Sequence, residues 1–195
     1  KDIRKYYEPS DVEDLLYLMI KKGTGIIYAN TVDKAINFYN WFMEYNNKAK
    51  KKINIVVYHS RFTEPDKSGK EGKIIEMLGR KVWNDNKANG IVIMTQIGEM
   101  SINISADIMI SEICPIDRLT QRAGRMCRFD KTKIGDLYLL LPQKNECLYP
   151  APYGNYDIHS KSWIPCDSLI KTVNILETKT YNANALIEML NQVYQ

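Results

Sequence analysis

Residues 121–128 read Gln-Arg-Ala-Gly-Arg-Met-Cys-Arg and hold three of the chain's seven arginines, Arg122, Arg125 and Arg128. Positions three apart share a helix face, so the spacing predicts a ladder of guanidinium groups, with Gly124 allowing close backbone approach. A guanidinium is a rigid, always charged fork that meets a phosphate through two parallel hydrogen bonds, whereas lysine offers a point charge. Elsewhere the chain prefers lysine, so the arginines are a local choice. They suit phosphate recognition. The blander alternative is that they pair with carboxylates and solvate a helix.

Other candidate phosphate donors are small polar residues in loops: Asn30-Thr31, His59-Ser60-Arg61, and Thr95-Gln96 with the segment that follows, Ile97-Gly98-Glu99-Met100-Ser101-Ile102-Asn103-Ile104. Such groups hold a nucleic-acid backbone in register without reading bases. Half of a phosphate machine is missing. No G-x-x-x-x-G-K-[ST] cradle occurs, since Gly69-Lys70 runs into Glu71 and Gly72-Lys73 into Ile74. There is no acidic run to hold Mg2+ and no histidine-aspartate pair for a nuclease, His59 and His159 being the only histidines. Cys114, Cys127, Cys147 and Cys166 form no C-x-x-C pair, so no metal site and reduced thiols are expected.

Short β-branched runs alternate with helical patterns in the elements that must position these residues. Strands are expected at Ile26–Ala29, Ile53–Tyr58, Ile91–Met94, Asp107–Ile110 and Asp136–Leu141. A first helix is expected after Ser10, paired with Glu13 as a capping box, and closed by Lys21-Lys22-Gly23. A second should start at the Thr31 cap, a third span about Lys73 to Val82, and a fourth run from Pro115 to about Met126, carrying the arginines. Strand-helix alternation implies right-handed crossovers and an α/β fold: a three-layer domain with a mostly parallel sheet. Ligands of such sheets lie beyond the carboxyl ends of the strands, where the polar loops would fall. From Pro142 to Tyr156 a Pro, Tyr, Gly and Asn composition reads as a loop, and helices are expected at Asp167–Glu177 and Ala183–Tyr194. The chain divides into residues 1–145 and a helical extension, residues 146–195, toward a following domain.

The arginine string resembles motif VI of superfamily 2 helicases, the Thr95 to Ile104 segment resembles motif V, and Tyr28-Ala29-Asn30-Thr31 resembles motif IV. His59-Ser60-Arg61-Phe62-Thr63, the Glu99-Met100-Ser101 loop, and Cys114-Pro115-Ile116-Asp117-Arg118-Leu119 running into the arginine string are similar to the helicase-nuclease of type I CRISPR interference. Tyr153-Gly154 and Val193-Tyr194 are similar to the linker after that family's second helicase domain. The resemblance implies a second RecA-like domain whose Arg125 and Arg128 act as arginine fingers on ATP. Gln121, Arg122, Gly124, Ser101 and Asn103 would complete the nucleotide contacts; many relatives carry Asp at the Asn103 position, and the amide keeps hydrogen bonding without charge. Asn30, Thr31, His59, Ser60, Arg61, Thr95 and Gln96 would hold single-stranded DNA. It further implies that ATP and Mg2+ are bound mainly by a first RecA-like domain. Other implied partners are a nuclease domain of the same protein and the CRISPR surveillance complex Cascade, all in the cytoplasm.

The 195 residues carry a net charge of +4, too little to establish a polyanion partner. No apolar run approaches a membrane span, so no membrane role is expected. A start in charged sequence without Met suggests a piece of a longer protein. Taken alone, these residues should not turn over ATP, because the phosphate cradle is missing. Two rivals stand beside this reading. One is a stand-alone nucleic-acid-binding module with an inactive ATPase motif, or another superfamily 2 helicase. The other, a dinucleotide-binding α/β enzyme, lacks its G-x-G-x-x-G turn. Lys48 and Lys50 to Lys52 read as a solvated helix end.

Overall fold

The computed structural model describes residues 3–99 and 102–195. Strand β1 (Arg4–Tyr6) leads through a 3-10 turn (Pro9–Val12) into helix α1 (Glu13–Lys22). The alternation then runs β2 (Thr24–Tyr28), α2 (Val32–Lys48), β3 (Ile55–Tyr58), α3 (Glu64–Leu78), α4 (Arg80–Asn84), β4 (Gly90–Met94), β5 (Ile108–Glu112), α5 (Ile116–Ala123) and β6 (Asp136–Lys144). The rest comprises β7 (Cys147–Leu148), a hairpin of β8 (Gly154–Asp157) and β9 (Ser162–Pro165), α6 (Asp167–Ile175) and α7 (Ala183–Tyr194).

A seven-stranded sheet in the order β1-β6-β5-β2-β4-β3 forms the middle layer, parallel throughout except where β7 runs antiparallel to β6. The expected three-layer α/β architecture is what forms. Alternate residues of each central strand enter opposite cores. Ile27, Ile91, Ile93 and Ile110 pack under α1 and α2 with Leu16, Met19, Phe38 and Phe42. Ile26, Val92, Met94 and Met109 face Ile74 and Leu78 of α3. Burial on both faces explains why these strands read as continuous apolar runs rather than alternating ones.

Local signals hold in part. Gly23 closes α1 at φ 80°, its N–H donating to the Met19 and Ile20 carbonyls, as a left-handed glycine cap does. Thr31 caps α2 by accepting from Lys34 N at 3.3 Å. The capping box falls elsewhere than expected: Asp11, not Glu13, accepts from the N–H groups of Tyr7 and Glu8 at 2.8 and 3.0 Å, closing the 3-10 turn. Helix α3 begins nine residues earlier than read, with Thr63 as cap, because Pro65 suits a first helical turn and Gly69 and Gly72 face open space.

Four strands were not anticipated, β7 within the segment read as a loop among them. β1 is three residues long and pairs in parallel with β6. β8 and β9 lie within and just after the segment read as a loop. The extension also packs onto the sheet domain: Leu169, Leu176, Met189 and Val193 share a core with Ile113, Cys114, Ile116 and Leu119. Among the described residues no helix is long and apolar enough to cross a membrane, and no cluster of His, Cys, Asp or Glu is arranged to hold a metal.

Candidate functional site

Parallel pairing places Tyr58 beside Met94, Met94 beside Tyr28, and Tyr28 beside Ser111. The loops that follow therefore emerge side by side at one edge. Asn30 leaves β2, His59 leaves β3, Thr95 and Gln96 leave β4, and the Cys114-Pro115 turn into α5 leaves β5. The sequence motifs thus meet at the carboxyl edge of the sheet.

The arginines do not form the expected ladder. Helix α5 ends at Ala123, and the chain then turns, with Cys127 at φ 46°. Each guanidinium consequently has its own environment. Arg122 is completely buried. Its Nε donates to Glu99 Oε1 at 2.8 Å, Nη1 to Ser111 Oγ at 2.9 Å and to the Glu112 carbonyl at 3.0 Å, and Nη2 to Asn30 Oδ1 at 3.2 Å and to the Tyr153 hydroxyl at 3.3 Å. All five of its N–H donors are used, and the guanidinium also lies 5.0 Å from the Tyr28 ring centroid. It is a hub inside the protein, with no donor left for a nucleotide. The carboxylate-pairing alternative describes this arginine, although it solvates nothing.

Arg125 is 4% exposed and donates to the carbonyls of Glu99 and Ile102, while its Nε is buried with no partner. Arg128 is exposed, and its backbone N–H donates to Ser105 Oγ at 2.9 Å. The Arg125 to Arg128 segment runs beside residues 105–107: the Arg125 carbonyl accepts from Ala106 N, and Cys127 N donates to the Ala106 carbonyl. Gln121 and Asn103 are exposed. Gly124 has ordinary room for a Cβ and a φ within the usual helical range, so the close approach read from sequence is not required within this chain. Ser101 lies outside the described residues.

Asn30 is buried and fully committed. Its side chain donates to the Ile113 carbonyl at 2.7 Å and accepts from Arg122; its backbone N–H donates to Glu112 and its carbonyl accepts from Gln96 Nε2 at 2.7 Å. No group of Asn30 remains to touch DNA in this arrangement. Thr95 is 3% exposed, whereas Ser60 and Arg61 are open to solvent, Arg61 lying 3.3 Å from Asp33. His59 is mostly buried, stacked on Phe62 at 4.1 Å with Nδ1 unpartnered. Burial, followed by Lys70 and Arg61, pushes its pKa down, so it is neutral at pH 7.

Sequence reasoning missed four contributors. Glu99 was inside a quoted motif, but its arginine partner lies 23 residues further on and no local signal joins the two. Glu112 takes the Tyr6 hydroxyl and the Asn30 N–H on its two oxygens, and burial raises its pKa. Tyr28 supplies the ring under Arg122, and Tyr153 reaches in from the extension. Both tyrosines stand in segments the sequence singled out, but their contact with Arg122 depends on packing between distant segments and has no local signal. Away from this edge, Tyr17, Trp41 and Tyr45 line a cleft of about 500 Å³ with Lys48, Lys50 and Lys51. The lysines are exposed, as expected of a helix end.

Residues 21–131 match the family described as "CRISPR-associated nuclease/helicase Cas3, C-terminal". The chain is 33% identical over 131 residues to a putative CRISPR-associated nuclease/helicase Cas3 of Methanocaldococcus jannaschii, an alignment spanning 64% of this chain and 17% of that relative. The fold is similar to that of T. fusca Cas3 crystallised with ATP, at TM-score 0.79 and 20% identity over 98% of this chain and 23% of the other. It is also similar to a chain of a CRISPR RNA-guided surveillance complex in a pre-nicking state, at TM-score 0.62 and 19% identity over 98% of this chain and 27% of that one.

Proposed function

Because the chain belongs to the C-terminal family of the CRISPR-associated nuclease/helicase Cas3, we propose that it is the second RecA-like motor domain of an ATP-dependent translocase on single-stranded DNA. In this reading residues 1–145 form the motor half and residues 146–195 brace it toward a following domain. The first RecA-like domain and a nuclease domain belong to the same protein, which meets the surveillance complex in the cytoplasm. The observation that carries the proposal is Arg122, which binds Asn30 of the strand-contact loop and Glu99 of the nucleotide-side loop with one guanidinium. A motor must link those two loops, whereas a passive binding module has no need to.

ATP with Mg2+ supplies the phosphoryl transfer that drives such a motor. The residues present fit half of that group. Arg125 has an orphaned buried Nε, and Arg128 and Gln121 are exposed, while no group of three or more His, Cys, Asp or Glu side chains among the described residues could hold the metal. In this reading the exposed Arg128 would offset charge developing on phosphates held by the first motor domain. Arg125 binds the Glu99 and Ile102 carbonyls and so holds the nucleotide-side loop in shape. Thr31, Ser60, Arg61, Thr95 and Gln96 form the strand-contact edge, with His59 as a neutral member, and Asn30 and Arg122 hold that edge in shape. Contacts of this kind are mostly electrostatic, so affinity for single strands falls with salt.

The test uses the full-length protein containing both motor domains. Arg128→Ala should reduce DNA-stimulated ATP hydrolysis by about 10³-fold or more, the usual loss for an arginine finger. Hydrolysis untouched by this change removes the motor reading and leaves the binding module.

A further inference from the structure

Resting on that reading, we propose that Tyr153 is a positioning residue through which the extension sets the motor's internal hub, so that the strand-contact loops and the nucleotide side respond together. The hydroxyl of Tyr153 accepts from Arg122 Nη2 at 3.3 Å, and the same nitrogen donates to Asn30 Oδ1 at 3.2 Å. Gln96 in turn donates to the Asn30 carbonyl at 2.7 Å. One phenol therefore touches the guanidinium that joins Glu99 to Asn30, and Asn30 holds the Gln96 amide of the loop after β4.

The extension fixes that phenol firmly. Tyr153 N donates to the Pro150 carbonyl at 2.7 Å, and the Tyr153 carbonyl accepts from Cys166 N at 2.9 Å, across the mouth of the β8–β9 hairpin. Gly154 is required beside it, because a Cβ there would stand 2.5 Å from the Ile164 carbonyl. Two more contacts join the extension to the start of α5. Thr172 Oγ1 accepts from Ile116 N at 3.0 Å, and the Tyr194 hydroxyl donates to Asp117 at 2.7 Å. Helix α5 is thus held by the extension at its first turn, and its last-turn arginine is held by Tyr153. A shift of the extension cannot occur without moving either the helix or the guanidinium. Burial pushes the Tyr153 pKa up to about 12, so the phenol stays neutral and keeps its hydrogen-bonding role across the working pH range.

The experiment compares three variants in the full-length protein, reading ATP turnover without DNA and across a titration of single-stranded DNA. Tyr153→Phe keeps the ring and deletes only the hydroxyl. We expect the ratio of stimulated to unstimulated turnover to fall about tenfold and the half-saturating DNA concentration to rise, with the KM for ATP little changed. Phe42→Leu loosens the core under α1 and α2, away from the extension, and controls for simple destabilisation. An unchanged ratio in Tyr153→Phe overturns the proposal, and so does an equal fall in Phe42→Leu. Arg125→Ala tests the motor reading separately: if it leaves hydrolysis intact, that reading fails whatever Tyr153→Phe does.

Discussion

The guanidinium of Arg122 and the carboxylate of Glu99 meet at 2.8 Å with neither side chain exposed to water. The same carboxylate lies 3.4 Å from Arg118, whose side chain is 40% exposed. The buried pair joins the loop after β4 to the last turn of α5. A charge pair taken out of water holds only where its remaining hydrogen-bonding groups are satisfied, and Arg122 meets that condition with five partners.

Removing one side of such a pair strands the other. Arg122→Ala should cost about 3 to 5 kcal/mol in urea unfolding, the range for an uncompensated buried charge. Arg122→Lys should recover only part of this, since a lysine is a point charge without the planar fork. Equal stability of Arg122→Lys and the parent chain would show that the fork geometry does not matter.

The two proposed fingers should separate by stability. Arg128 is exposed and its side chain holds nothing in place, so Arg128→Ala should change stability by no more than about 0.5 kcal/mol while hydrolysis collapses. Arg125 spans two loop carbonyls from a buried position, so Arg125→Ala should lower both hydrolysis and the thermal midpoint. Thermal melts beside turnover measurements decide this, and similar melting of both variants would contradict the assignment.

Glu112 gives a pH dependence of defined sign. Burial raises its pKa in the folded state, so between the ordinary carboxylate value and the raised one the folded protein holds a proton that the unfolded chain releases. The resulting stabilisation is full below the ordinary value and is lost as pH rises through the folded one. Glutamine at this position can still accept from Asn30 and face Tyr6, but it does not titrate. The stability of the parent relative to Glu112→Gln should therefore decline from pH 4 to pH 8 in paired urea titrations. A flat difference would mean that the carboxylate does not change protonation on folding.

Thr172→Val keeps the shape of a fully buried side chain and removes the acceptor for Ile116 N. An unpaired buried N–H costs about 1 to 3 kcal/mol, so unfolding should shift by that amount. Hydrogen exchange at the start of α5 should speed up more than in α1, and uniform exchange across both helices would argue against a local effect.

The sequence alone determined the sheet domain, because Ile26-Ile27, Ile91-Val92-Ile93 and Ile108-Met109-Ile110 are buried on both faces and so carry a local pattern that needs no partner to be recognised. It also determined which loops gather at the carboxyl edge, since parallel topology sends every strand end the same way. Tertiary structure decided what each loop residue does there. Arg122, Arg125 and Arg128 are equivalent by spacing, yet one is enclosed, one spans loop carbonyls and one faces water, because α5 stops at Ala123 and the backbone turns. Asn30 reads as a DNA contact and instead spends every polar group inside. The β8–β9 hairpin and the Tyr153 contact were also illegible. The hairpin's strands mix exposed and half-buried residues without an apolar run, and Tyr153 meets Arg122 31 residues away, a separation that leaves no periodicity in the chain.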